Sequence, residues 1–145
     1  MAGEELPGVL IPGVGGAQGV LENIAALLER HFHLITMKEF LENQQESSRK
    51  IQAVFVFEGR PSIDRQLLQS LPRVKVIGNC GVGVDHLDVQ MISAFGVKVT
   101  NTPRAVADPT ADLGMALLLA SARRVVEGNF VFHWLGAELL LWHVS

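Results

Sequence analysis

Short apolar runs and helix-type patterns alternate along the first hundred residues. Runs rich in Val, Ile and Phe predict five β-strands, at 8–12, 33–36, 53–57, 74–79 and 97–101. Between them, apolar residues recur at spacings of three and four, which predicts helices within 21–28, 63–71 and 87–95. Because strands and helices alternate with short connections, we expect an α/β fold: a doubly wound, five-stranded parallel sheet with helices on both faces.

Local residue types refine one of these helices and one connection between elements. Asp85 is a candidate N-cap for the helix within 87–95, and Gly96 is a candidate C′ residue that ends it. The polar stretch 43–50 predicts a surface loop rather than a linker between domains.

A long last helix is predicted after residue 107. Asp108 can cap it, and Pro109 suits its first position. From 113 to 126 the helix is apolar on every side, and such helices are normally buried all round. Since a five-stranded domain covers only one side, we expect a second domain or a partner subunit on the other. The segment 129–145 is an apolar tail with both tryptophans.

Composition narrows the class of protein. The chain has 145 residues, the length of one domain, and 48% of them are hydrophobic. A net charge of −3 without a basic block argues against nucleic acid or an anionic membrane as partner. The acidic N-terminus differs from a signal peptide, and no apolar run is long enough to span a bilayer, so we predict a cytoplasmic protein. We expect the lone cysteine, Cys80, to be reduced, buried and inert.

A first glycine turn follows the first predicted strand. Gly13, Gly15 and Gly19 are spaced G-x-G-x-x-x-G, which differs from the dinucleotide fingerprint G-x-G-x-x-G. No acidic residue follows the second predicted strand to bind a ribose. We interpret this turn as a glycine-rich βα loop rather than a cofactor site.

A second glycine turn, "VIGNCGVGVDHLD" at 76–88, ends the fourth predicted strand. Gly78, Gly81 and Gly83 also miss the fingerprint order. Ligands of open α/β sheets bind at the carboxyl ends of the strands, and glycines let a small anion such as a carboxylate approach the backbone amides. The alternative is a plain βα turn whose glycines adopt positive φ, and spacing alone does not separate the two.

Other chemistry is sparse. The five histidines show no metal-ligand spacing, and we interpret them as surface or packing residues. Arg60 and Arg104 follow predicted strands, where an anion clamp could lie, but we interpret both as solvated loop charges.

Residues 71–128 resemble the D-isomer-specific 2-hydroxyacid dehydrogenases, and the weaker resemblance of 1–70 extends this to about 1–128. The markers are G-V-G-V-D at 81–85, N-T-P at 101–103, and T-A-D-L at 110–113 followed by a Leu-rich helix ending in Ala-Arg-Arg. The similarity is greatest to the glyoxylate/hydroxypyruvate and 2-ketogluconate reductase branch.

The resemblance implies a flavodoxin-like substrate-binding (lid) domain at 1–128, with the last helix lying between domains. It implies an oxidoreductase that uses NADPH or NADH to reduce a small 2-oxo acid to a 2-hydroxy acid. By the same resemblance, the amides of Val82 and Gly83 bind the substrate carboxylate, and Thr110 lies beside the nicotinamide.

The family's catalytic Arg, Glu and His belong to a nucleotide-binding domain with no counterpart in this sequence. We therefore expect 129–145 to be a divergent tail, and the chain to be a truncated form that is inactive alone. The alternative is a non-enzymatic module that forms homo- or heterodimers through the helix at 112–127 and the tail.

Overall fold

The computed structural model describes residues 6–130. The strands are β1 (Gly8–Ile11), β2 (His33–Thr36), β3 (Ile51–Phe57), β4 (Val76–Cys80) and β5 (Lys98–Thr100). The helices are α1 (Glu22–Leu28), α2 (Met37–Glu42), α3 (Gln44–Lys50), α4 (Arg65–Ser70), α5 (Val89–Ala94) and α6 (Ala107–Ala122). The described residues fall into two compact units, divided between Pro103 and Arg104.

The first unit is built on one five-stranded sheet in the order β2-β1-β3-β4-β5. All neighbouring strands are parallel. This is the strand order of flavodoxin, so the predicted α/β class and flavodoxin-like sheet are confirmed. In β3 and β4, Phe57 pairs with Cys80, which brings the loops after these two strands to the same edge of the sheet.

Alternating strand residues form separate apolar clusters on the two faces of the sheet. One face carries Leu10 together with Phe40 of α2, Leu68 of α4 and Ile92 of α5. The other carries Val9 and Ile11 with Ala25 of α1, and the aromatic residues of β3 on this face are only partly buried. Helices therefore cover both faces, as predicted, but one face far more completely.

The predicted surface loop at 43–50 is wrong, because residues 44–50 form α3. Glu46 accepts hydrogen bonds from Asn43 Nδ2 at 3.0 Å and from Lys50 Nζ at 2.6 Å. These contacts hold the pKa of the Glu46 carboxyl below its usual range, with the Lys50 contact as the largest cause. Side-chain pairs spaced three and four residues apart thus stabilise α3, although this helix has no apolar stripe.

The N-cap prediction for α5 is also wrong. Asp88, not Asp85, precedes the helix, and its Oδ1 accepts a hydrogen bond from the Met91 backbone N–H at 2.9 Å. An N-cap side chain binds an amide two or three residues later, and the turn at 84–87 delays the start of the helix beyond the reach of Asp85. Gly96 does end this helix with φ of +75°, as predicted.

The second unit contains α6. This helix begins at Ala107 and has Val106 as N-cap without a side-chain cap, so the prediction that Asp108 caps it is wrong. Asp108 lies instead within the first turn, where its charge complements the helix dipole. Pro109 is the third helical residue rather than the first. It is tolerated there because first-turn amides have no intrahelical acceptor.

Side chains of α6 are exposed along its length, among them Leu113, Leu117 and Leu118 at 61–62%. Residues 125–130 are again helical. Most of the predicted tail, 131–145, lies outside the described residues. No helix within residues 6–130 is long and apolar enough to cross a membrane.

Candidate functional site

The loop after β4 places three consecutive backbone carbonyls against side chains of the first unit. Asn79, at the end of β4, is 5% exposed and is the only polar residue among the buried ones of the described chain. Its Nδ2 donates to the Gly81 carbonyl at 3.2 Å and to the Gly83 carbonyl at 2.9 Å. Its Oδ1 lies 3.0 Å from His86 Nε2. Every polar atom of this buried amide is thereby satisfied.

The segment after β5 holds the same loop from a second direction. Asn101 Nδ2 donates to the Val82 carbonyl at 2.8 Å. The Thr102 backbone N–H donates to the Gly81 carbonyl at 3.0 Å. The loop carbonyls of residues 81, 82 and 83 therefore all have partners within the first unit.

The backbone N–H groups of Val82 and Gly83, unlike these carbonyls, have no partner in the described residues. Neither donates a hydrogen bond to any group in the described part of the chain. Both residues are exposed, Val82 by 44% of its surface. Two consecutive amide donors thus face solvent at the carboxyl end of β4.

Backbone conformation does not explain the glycines of this loop. Positive φ occurs at Gly15, Gly16, Gly59 and Gly96, but not at Gly81 or Gly83. A Cβ atom on Gly81 would lie 3.5 Å from Asn79 Nδ2, and one on Gly83 would lie 3.5 Å from Asp85 Oδ2. Both are ordinary van der Waals distances. The alternative of a turn that needs positive φ at these two glycines is therefore excluded.

The first glycine turn has a structural explanation. Gly15 and Gly16 both have φ of +70°. A Cβ on Gly19 would lie 2.2 Å from the Gly15 carbonyl oxygen. The Gly15 amide donates to the Val20 carbonyl, and the Val20 amide donates to the Gly13 carbonyl. Because the loop uses its own donors and close contacts, these residues do not fit a dinucleotide pyrophosphate.

The remaining candidates lie on other segments of the chain. Thr110, in the second unit, is the fourth residue of α6, and its amide donates to the Val106 carbonyl at 3.0 Å. Arg60 is exposed and donates from Nη1 to Gln18 Oε1 at 2.9 Å, and Arg104 is also exposed. Among the residues described, no three His, Cys, Asp or Glu side chains are placed to hold a metal ion.

Cys80 corrects the prediction of a buried thiol, because its side chain is exposed. Alternation along β4 explains the difference. Ile77 and Asn79 lie on the well-covered face, so Cys80 lies on the opposite face, which is less completely covered.

Sequence reasoning missed Asn79 and Asn101. The available signal was a polar amide at a buried position of an otherwise apolar strand. For Asn101 no comparable signal exists, because its role depends on β5 lying beside β4.

Comparison with known proteins identifies the family. The sequence model of the D-isomer specific 2-hydroxyacid dehydrogenase catalytic domain matches residues 17–136. The chain belongs to this family. The glyoxylate reductase of Thermococcus kodakarensis is 33% identical over 122 residues, which cover 81% of this chain and 36% of that enzyme. The glyoxylate reductase of Thermococcus litoralis is 46% identical over 67 residues, covering 46% and 20% respectively.

Solved dehydrogenase structures share the fold. The 2-hydroxyacid dehydrogenase of Ketogulonicigenium vulgare Y25 gives a TM-score of 0.73 at 25% identity, over 86% of this chain and 38% of that one. An NADPH-dependent glyoxylate/hydroxypyruvate reductase of Sinorhizobium meliloti, solved with NADP and malonate, gives 0.62 at 25% identity over 79% and 34%. The chain thus spans about a third or less of the length of these curated relatives.

Proposed function

We propose that residues 1–128 form the substrate-binding domain of an NAD(P)-dependent reductase of 2-oxo acids of the glyoxylate/hydroxypyruvate type. In this proposal the Val82 and Gly83 amides bind the substrate carboxylate. Family membership supports the reaction class, and the loop after β4 supports the residues.

The observation that carries the proposal is the pair of unpartnered amides beside glycines that the fold itself does not require. Gly81 and Gly83 have neither positive φ nor a close packing contact. The lack of a Cβ atom there therefore benefits a group outside the chain, one that approaches the backbone closely. A carboxylate suits two adjacent N–H donors, because hydrogen bonds to an ionised acceptor are shorter and stronger than neutral ones.

The described residues offer no cradle for a dinucleotide cofactor. When bound elsewhere in such an enzyme, NADH or NADPH would supply the hydride, and Thr110 is our candidate for a residue beside the nicotinamide. What this chain's own residues do in the proposal is orient the substrate: two fixed donors hold the carboxylate, which restricts where the adjacent carbonyl carbon can lie.

Titration of the ¹⁵N-labelled protein with glycolate tests the carboxylate site, with glycolamide as the uncharged control ligand. We expect the Val82 and Gly83 amide resonances to shift with glycolate and to stay in place with glycolamide. Gly83→Ala should weaken glycolate binding by about tenfold, or ~1.4 kcal/mol, because the added methyl group obstructs close approach to the amide.

Gly13→Ala is the matched control for this substitution. A Cβ on Gly13 would contact nothing within 4 Å, and its φ is not positive. It should bind glycolate like the unaltered protein. Equal shifts with both ligands, or shifts confined to other residues, would refute the proposed site.

Activity of the 145-residue polypeptide is a separate question. We propose that it does not reduce glyoxylate with NADPH by itself, because no dinucleotide cradle and no positioned proton donor occur among residues 6–130. NADPH oxidation above background would refute the proposed inactivity of the polypeptide, but it would not count against the carboxylate site.

The second candidate function is an interaction module that forms dimers through 112–127 and the tail. The exposed leucines of α6 favour it, since contiguous exposed apolar surface of this kind usually marks an interface. The cytoplasmic location stays a prediction.

A further inference from the structure

The loop after β4 is held from its carbonyl side. In a trans peptide unit, the C=O of one residue and the N–H of the next point in opposite directions. The one cis peptide bond within the described residues lies elsewhere, at Arg60–Pro61. A hydrogen bond that fixes a carbonyl in this loop therefore also fixes the next residue's N–H, which points to the opposite side of the same peptide unit.

Each of the two candidate donors follows a carbonyl that is held in this way. The Gly81 carbonyl accepts from both Asn79 Nδ2 and the Thr102 amide, which directs the Val82 N–H away from them. The Val82 carbonyl accepts from Asn101 Nδ2, which directs the Gly83 N–H away from Asn101.

His86 completes the arrangement as the hydrogen-bond partner of the Asn79 side-chain oxygen. Both Nδ2 hydrogens are used by the Gly81 and Gly83 carbonyls, so Oδ1 must accept from His86 Nε2. An inverted amide would place an oxygen against two carbonyl oxygens. The hydrogen-bond pattern of the buried Asn79 thus has one consistent assignment.

We propose that Asn79 and Asn101 are positioning residues: they hold the carbonyls of Gly81, Val82 and Gly83 and thereby present the Val82 and Gly83 amides to a carboxylate. Asn79 acts on the Val82 donor with support from Thr102, whereas Asn101 alone acts on the Gly83 donor. This inference rests on the proposed function, and neither side chain itself touches the ligand.

The substitution Asn101→Ala separates positioning from folding. Asn101 is exposed, and its one side-chain hydrogen bond in the described structure is to Val82. We expect glycolate affinity to fall by about tenfold. The glycolate-induced shift should disappear at Gly83 and persist at Val82, while the thermal midpoint moves by less than about 2 °C.

Gln90→Ala is the matched control. Gln90 is an exposed amide residue of α5, and its side chain makes no hydrogen bond within the described residues. Affinity and both shifts should stay as in the unaltered protein. Asn79→Ser is the second variant, and it should weaken the response at Val82 as well as the overall affinity.

A measurement without ligand keeps the test decisive. The ¹⁵N order parameters of Val82 and Gly83 should be about 0.85 in the unaltered protein and in Gln90→Ala. At Gly83 the value should fall below about 0.6 in Asn101→Ala. An unchanged order parameter and unchanged affinity in Asn101→Ala would overturn the positioning role while leaving the carboxylate site intact. Failure of the unaltered protein to bind glycolate would instead refute the proposed function, and the order parameters would still decide the positioning role.

Discussion

Individual residues around the loop after β4 divide into donors, supports and one opposing charge. Val82 and Gly83 offer amides, and Asn79 and Asn101 hold the carbonyls behind them. Asp85, which the sequence suggested as a helix cap, instead has its Oδ2 only 3.5 Å from the position that a Cβ on Gly83 would take. A negative charge at that place opposes the binding of an anion at Gly83.

Neutralising Asp85 should therefore strengthen carboxylate binding. We expect Asp85→Asn to lower the dissociation constant for glycolate by about two- to fivefold at low salt, with a smaller difference at high salt because exposed charges are screened. Isothermal titration calorimetry at two salt concentrations measures this.

Glu42→Gln is the charge-matched control. Glu42 ends α2 and is exposed, and helices of a parallel α/β sheet run back toward the amino ends of the strands, away from this loop. Its removal should leave affinity unchanged. Weaker binding by Asp85→Asn would show that Asp85 supports the site instead of opposing it.

The helices of the first unit have only six or seven residues each, so their ends contribute much of their stability. α2 shows this most fully, with a reciprocal capping box between Thr36 and Glu39. The Thr36 backbone N–H donates to Glu39 Oε2 at 2.7 Å, and the Thr36 hydroxyl accepts from the Glu39 amide at 3.2 Å. The Thr36 hydroxyl also donates to Glu39 Oε2, at 2.9 Å. The two hydrogen bonds that the carboxylate accepts from Thr36, the backbone one first, hold the pKa of the Glu39 carboxyl below its usual range.

Stability should depend on the ionisation of Glu39. Since its pKa is lower in the folded state, the carboxylate stabilises the fold above the unfolded-state pKa, and this contribution is lost as pH falls through the folded-state pKa. At about pH 7, Glu39→Gln should lower the free energy of unfolding by about 0.3–1 kcal/mol, toward the low end because the side chain is exposed.

The difference in free energy of unfolding between Glu39→Gln and the unaltered protein should shrink as the pH is lowered to about 3. Urea unfolding at each pH measures this difference. Glu42→Gln, in the same helix but outside the capping box, should show a smaller effect at neutral pH. A difference for Glu39→Gln that is independent of pH would contradict the role of the charged carboxylate.

At the scale of the whole molecule, the two units differ in how they bury apolar side chains. The first unit has fully buried residues on both faces of its sheet, such as Ile11 and Ile77. In α6, by contrast, no residue is buried. Exposed apolar surface of that extent suits association with another polypeptide.

Self-association should follow from these leucines. We expect light scattering to give a mass above that of one chain at micromolar concentration. The double substitution Leu113→Gln and Leu117→Gln should lower this mass, because the two exposed leucines lie four residues apart on one face of α6. Leu27→Gln with Leu41→Gln is the matched control, because both leucines are exposed in the first unit, by 55% and 69%. A monomeric unaltered protein would count against the interaction module.

The sequence by itself determined the α/β class, the five parallel strands and the family. The spacing of apolar residues, the turn residues and the family motifs within 71–128 are all local properties of the chain. It also determined that Gly96 ends α5. Tertiary structure decided the roles of Asn79 and Asn101, the exposure of Cys80 and the conformation of Gly81 and Gly83. Asn101 reaches the Val82 carbonyl only because β5 lies beside β4, and the exposure of Cys80 depends on which face of the sheet is covered. The partners of Asn79 lie within seven residues of it, but the conformation of the loop after β4 brings them together, and that conformation is not written in the spacing of residue types.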